Sequence, residues 1–209
     1  MTGAKTILAF AAGLAISAAI MVGAHADSPF MTLGAYTTQP IGHFDYCRRA
    51  PQDCAPSGAM APGPIALTAE TMGRVARINR TVNATIAAES DLALYGQDEH
   101  WAIPTTAGDC EDYALLKRQR LIALGIPAGN LLMTVVRKRN GDGHAVLTLT
   151  SQEGDFVLDN LDSRVRSWSQ TPYRYLKRQD AADPGRWVTI RHDRSHDLLV
   201  AATSSAARD

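Results

Sequence analysis

A cysteine at position 110, a histidine at 144 and an aspartate at 159 follow one another along this chain, the residue types that can cut or transfer an acyl group together. Cys110 sits in Gly108-Asp109-Cys110-Glu111-Asp112-Tyr113, at the start of a stretch that reads as a helix. A thiolate attacks carbonyl carbon where a thiol does not, so such a nucleophile needs a lowered pKa and a base to hold its proton. A helix N-terminus favours negative charge on the sulfur, and the N–H of Cys110 itself is the natural donor to an oxyanion. The base would be a histidine oriented by a carboxylate.

Hydrophobic patterning supplies that pair. Two strand-like runs, 144–150 and 156–159, flank the turn Gln152-Glu153-Gly154. If Ala145 faces Leu158 and Leu147 faces Phe156, then Ala145, Leu147, Leu149, Phe156 and Leu158 share one apolar face, and His144 lies directly opposite Asp159. A slip of one residue breaks both patterns together. Alone, His144 reads as a strand-end histidine and Asp159 as a turn residue; their joint placement turns them into base and orienter.

The cysteine's surroundings oppose its ionisation. Asp109, Glu111 and Asp112 crowd it, and one carboxylate about 7 Å away at an effective dielectric near 20 disfavours the thiolate by about 2.4 kcal/mol. A bound cation is one remedy. Hard carboxylate oxygens select calcium, although acidic residues of a first helical turn can also simply face solvent. The other histidines carry weaker signals. His43 and His100 read as loop residues, and His192, Asp193 and His196 as a solvated patch. No Cys-x-x-Cys or His-Glu-x-x-His pattern marks a zinc site.

These residues need a scaffold. Residues 1–26 read as a secretory signal, with Lys5, an apolar run and Ala24-His25-Ala26 as cleavage site, so no transmembrane anchor remains after processing. The mature chain, 27–209, suffices for one domain in the periplasm or beyond. Its 21 basic and 21 acidic residues cancel, which leaves no electrostatic footprint for nucleic acid. In an oxidising compartment Cys47 and Cys54, seven apart among turn formers, are the natural disulfide, contributing about 2.5 kcal/mol, and Cys110 is left free.

Residues 28–64 read as an irregular arm. A helix is expected over 68–88, capped by Thr68, with Asn79 and Asn83 on its polar face, and another over 109–124 with Asp109 as N-cap. Strands follow at 131–139, 144–150, 156–159 and 187–191, with Asn140-Gly141 as a tight turn; 164–179 has no clean period. The fold class is α+β, a helical half with the nucleophile at a helix N-terminus packed on an antiparallel sheet.

In the order Cys47 and Cys54, Trp101, Gly-Asp-Cys-Glu-Asp-Tyr-Ala at 108–114, Gly-His-Ala-Val-Leu at 143–147 and Val-Leu-Asp-Asn at 157–160, the chain resembles the bacterial transglutaminase-like cysteine proteinases. That resemblance implies a papain-like, transglutaminase-like core and a triad of Cys110, His144 and Asp159. It also implies calcium beside the nucleophile, held by Asp109 and Glu111. One branch of the family cuts a surface adhesin in the periplasm at an alanine pair, under an inner-membrane cyclic-di-GMP receptor. The segment between Trp101 and Gly108 is shorter here than in that branch, so the protein substrate carries over and the adhesin and receptor do not follow from it. Trp101 is either a wall of the cleft or an ordinary core residue. Two other readings stay open: a transamidase or deamidase acting on glutamine side chains through the same acyl-enzyme, and a non-catalytic binding module on the same scaffold.

Overall fold

The structure, a computed structural model, describes residues 28–56 and 61–191. The signal segment 1–26 and the patch of His192, Asp193 and His196 lie outside the described residues. Seven strands form one antiparallel sheet in the order β1 (Thr32–Thr37), β9 (Trp187–Arg191), β8 (Arg174–Gln179), β4 (Leu131–Arg137), β5 (Gly143–Ser151), β6 (Gly154–Leu158) and β7 (Arg166–Ser167). Five α-helices are described: α1 (Ile41–Arg49), α2 (Pro51–Cys54), α3 (Ala69–Thr85), α4 (Asp91–Tyr95) and α5 (Cys110–Ala123). This is the expected α+β arrangement. No described helix is long and apolar enough to cross a membrane.

The central strands form because β4 and β5 are rich in Leu, Val and Thr, which fit a pleated surface covered on both sides. On one face Leu131, Met133, Leu147, Leu149 and Leu158 pack against Leu115 and Leu121 of α5, with Trp101 and Trp187 in the same cluster. On the other, Val136, Val146 and Val157 meet Met31, Trp168 and Tyr175. Helix α3 closes over α5 through Val82, Ile86, Tyr113 and Leu116. Its start matches the sequence: the Thr68 hydroxyl accepts from the Thr71 N–H at 3.1 Å. A two-residue parallel pair, β2 (Ala87–Ala88) with β3 (Ala107–Gly108), then guides the chain into α5.

The pairing of β5 with β6 differs from the sequence expectation by two residues. Leu147 faces Leu158 and Leu149 faces Phe156, rather than Leu147 facing Phe156. Because strand side chains alternate with period two, this slip keeps every residue on its expected face. The tight link at Ser151 to Gly154, where Gly154 has φ 133°, sets the register instead.

The described parts of the arm, 28–56 and 61–64, are more ordered than its composition suggests. Strand β1 is recruited by β9, a partner about 150 residues away that local sequence cannot announce. Helix α1 buries Gly42, His43 and Tyr46, positions at helical spacing whose residue types give no apolar signal. His43 is thus a core residue, not a loop residue. Its Nδ1 accepts from Trp187 Nε1 at 3.2 Å, and burial, aided by the charge of Arg118, pushes its pKa down to about 4. Cys47 and Cys54 form the disulfide that joins α1 to α2. In the stretch left unassigned, β7, β8 and a 3-10 turn at Trp168–Gln170 complete the sheet.

Gly42 shows how tightly α1 is seated. A Cβ there would lie 2.4 Å from Trp101 Cδ1 and 2.6 Å from the Glu99 carbonyl oxygen. Gly42→Ala is expected to cost roughly 2 to 3 kcal/mol by overpacking. Calorimetry should therefore show a melting temperature lower by roughly 5 to 10 °C, and an unchanged value would refute this close packing.

Candidate active site

Cys110 is the first residue of α5, as its sequence placement predicts. Asp109 occupies the N-cap position, yet its side chain makes no capping bond. The half-buried sulfur accepts the backbone N–H of Ala145 at 3.3 Å, which brings it against the residue that follows His144. The thiol donates to Glu111 Oε2 at 3.1 Å. Burial pushes the Cys110 thiol up well above its ordinary value. The charge and hydrogen bond of Glu111 add to this, while the Ala145 N–H works in the opposite direction.

His144 and Asp159 also meet. Their separation is 2.9 Å between Nε2 and Oδ1, with both side chains buried. With Nε2–H donating to the carboxylate, the neutral ring leaves Nδ1 as its basic nitrogen. The pair forms even though the ladder ends at Leu147 and Leu158, because the offset of two leaves His144 and Asp159 on the same face and within side-chain reach. Burial works against charge on Asp159. Donation from His144, from the Leu161 N–H at 3.0 Å and from the Tyr173 hydroxyl outweighs it, and the pKa lies below the ordinary carboxylate value. Lys117, fully buried on α5, is pushed down to about 7 by burial, a fall opposed by the charge of Asp159.

Tyr173 is a site residue that sequence reasoning missed. It donates to Asp159 Oδ2, and its ring centroid lies 5.4 Å from that of His144. Its stretch had no periodicity to place it. Tyr173→Phe keeps the ring and removes one donor to a buried carboxylate, worth about 1.5 kcal/mol or more. The expected result is a roughly 10-fold fall in kcat with KM little changed, measured by steady-state peptide cleavage; an unchanged kcat would show that this donor is idle.

The acidic crowd resolves into two groups. Asp109, Cys110 and Glu111 form one, within which burial and the charge of Asp109 raise Glu111 to about 9. Asp91, Asp109 and Asp112 form the other, with one carboxylate oxygen from each within 4.8 Å of the rest. The oxygens Asp91 Oδ1, Asp109 Oδ1 and Asp112 Oδ2 are buried without a hydrogen-bond partner. The remaining oxygens hold the loop beside the site: Asp91 Oδ2 takes the His100 N–H and Asp112 Oδ1 the Ala102 N–H, the latter at 2.7 Å. Burial pushes Asp112 up to about 7, with the charges of Asp109 and Asp91 adding to the shift.

Three unpartnered hard oxygens are a donor set that suits a hard divalent cation such as calcium. The family resemblance implies Asp109 and Glu111 as its ligands, and these two lie together with Cys110 in the first group. The structure keeps Asp109 in the three-carboxylate group and sets Glu111 on the sulfur. Asp112, three residues after Asp109 on one helix face, was legible in principle. Asp91 carries no local signal of its part. Trp101 is 2% exposed in the core against Trp187 and His43, so it is a core residue here.

A family model described as bacterial transglutaminase-like cysteine proteinase matches residues 33–195. Solved structures of Legionella pneumophila LapG are similar to this chain. The calcium-bound form is 25% identical, covering 57% of this chain and 71% of that one, with a TM-score of 0.47. The EGTA-treated form is 24% identical, with 58% and 67% covered and the same TM-score of 0.47. A comparison with curated proteins found none that matches.

Proposed function

This chain belongs to the bacterial transglutaminase-like cysteine proteinases, and from that membership we propose that it hydrolyses peptide bonds of a protein substrate outside the cytoplasm, in the periplasm, through Cys110, His144 and Asp159. It is a transglutaminase-like cysteine peptidase. The observation that carries the triad is the buried 2.9 Å bond between His144 and Asp159, made beside the strand position whose N–H bonds the Cys110 sulfur.

This arrangement supports the following chemistry. His144 Nδ1 takes the thiol proton as sulfur attacks the substrate carbonyl carbon, and the Cys110 N–H at the uncapped helix start receives the oxyanion. His144 then returns that proton to the leaving amine, and an acyl-enzyme remains. Water, deprotonated by the same nitrogen, releases the acid and restores the thiol. Asp159 holds the ring with Nδ1 turned outward and stabilises its charged form. Tyr173 and the Leu161 N–H keep that carboxylate ionised.

Asp91, Asp109 and Asp112 would hold a calcium ion, whose charge would offset the carboxylates that raise the thiol pKa. Export rests on residues 1–26, which read as a signal peptide. Nothing in the site selects a particular substrate, so an adhesin and an inner-membrane receptor are partners that only the family likeness suggests.

Mass spectrometry of substrate proteins incubated with the wild-type chain distinguishes the chemistries. Scission of the backbone is the expected product. A shift of about one dalton at glutamine, or a crosslink, would replace hydrolysis of the main chain by deamidation or transamidation. An unmodified substrate, with Cys110 inert to iodoacetamide near neutral pH, would leave a binding module.

A further inference from the structure

Asp159 opens a segment with no ladder of its own, since β6 ends at Leu158 and β7 begins at Arg166. Something else must fix its backbone. That support comes from α3. Asn83 Nδ2 donates to the Asp159 carbonyl oxygen at 2.8 Å and lies 3.4 Å from that of Asp162, while Asn79 Nδ2 donates to the Asp162 carbonyl at 3.0 Å. Asn79 is 0% exposed, and both face inward rather than along the polar side of the helix. Among the described residues the other hydrogen bonds to Asp159 act on its side chain, so Asn83 is what ties its main chain to a rigid element.

We propose that Asn83 is a positioning residue for peptide hydrolysis: by fastening the Asp159 carbonyl to α3 it sets where the carboxylate meets His144. The inference rests on the triad reading given above. Helix α3 is a suitable anchor, since it is seventeen residues long, packs on α5 through Val82 and Ile86, and so refers Asp159 to the helix that carries Cys110. Asn83 touches neither substrate nor reacting atoms. Its influence passes entirely through Asp159, and that dependence separates it from a residue that merely stabilises the fold.

The experiment pairs Asn83→Leu, which keeps the volume and removes the donor, with Asp159→Asn and the double variant. A misplacement near 1 Å at such a group costs about 100-fold in rate. Asn83→Leu is therefore expected to lower kcat roughly 10-fold to 100-fold with KM within about twofold. In the Asp159→Asn background the same change should have almost no effect, because the pair acts as one unit. Equal loss in both backgrounds would overturn the proposal, as would full kcat in Asn83→Leu.

The low-field proton resonance of the His144 Nε2–H reads the bond to Asp159 without substrate. It should broaden or disappear in Asn83→Leu, and an unchanged resonance would overturn the proposal. If Asn83→Leu does not fold, Asn83→Asp, of equal size but without the amide donor, takes its place in both measurements. Failure of the wild-type chain to cleave any peptide would sink the peptidase reading, while the resonance still decides whether α3 sets the histidine bond.

Discussion

Cys110→Ala leaves the fold standing and removes turnover. The expected loss in kcat is roughly 10,000-fold or greater, the scale at which a nucleophile's removal leaves only oriented binding. The stability cost is modest, because the half-buried sulfur is lost as acceptor from the Ala145 N–H and as donor to Glu111 Oε2, each worth about 1 kcal/mol. Peptide cleavage followed by mass spectrometry, with circular dichroism on the same samples, checks both halves. Peptide cleavage at the wild-type rate by folded Cys110→Ala protein would end the covalent mechanism.

Chelation should have the second largest effect. Without a cation, Asp91, Asp109 and Asp112 form a buried anionic group beside a thiol already raised by burial and by Glu111. With those carboxylates uncompensated the thiolate is harder to form, and a fall of roughly 100-fold in rate is expected in EGTA, regained with added calcium. Asp91→Asn removes a charge from the group without touching the sulfur's own neighbours. It should require much more calcium for the same rate.

Stability gives an independent readout with a definite sign. In chelator, Asp112 has a folded pKa of about 7 and Glu111 of about 9, both above their ordinary values. A carboxyl whose pKa is raised by folding binds more protons in the folded chain, so its contribution is complete at low pH and is lost as pH rises through the folded value. The melting temperature in EGTA should thus decline between pH 5 and 9. Calcium should raise it most at the alkaline end, where the carboxylates are charged. A melting temperature and a rate indifferent to both chelator and calcium would remove the metal from the account.

The parts of this molecule that local sequence revealed are those whose physics is local. Thr68 caps a helix, Asp109 sits at the start of another, and Asn140-Gly141 turns a hairpin, because each depends on neighbours within a few residues. Alternation fixed the faces of β5 and β6 but not their register, since a slip of two leaves every hydrophobic residue inside. The union of His144 with Asp159 survived that slip because an offset of two keeps both side chains on one face, within reach of each other. What stayed hidden depends on distant partners. Asp91 joins the acidic group from a separate helix, Tyr173 arrives from an aperiodic stretch, and Asn79 and Asn83 look polar and exposed until the loop they hold is placed against them.

The pairing of β1 with β9 has a temporal meaning. Strand β1 finds its partner only once β9 is present, and Trp187 at the head of β9 completes the cluster around His43 and Trp101. A nascent chain lacking its final segment therefore holds Cys110 on an unfinished scaffold. Contacts so remote in sequence form late and slowly. Truncation before Trp187 should yield an idle, protease-sensitive polypeptide rather than a smaller working enzyme.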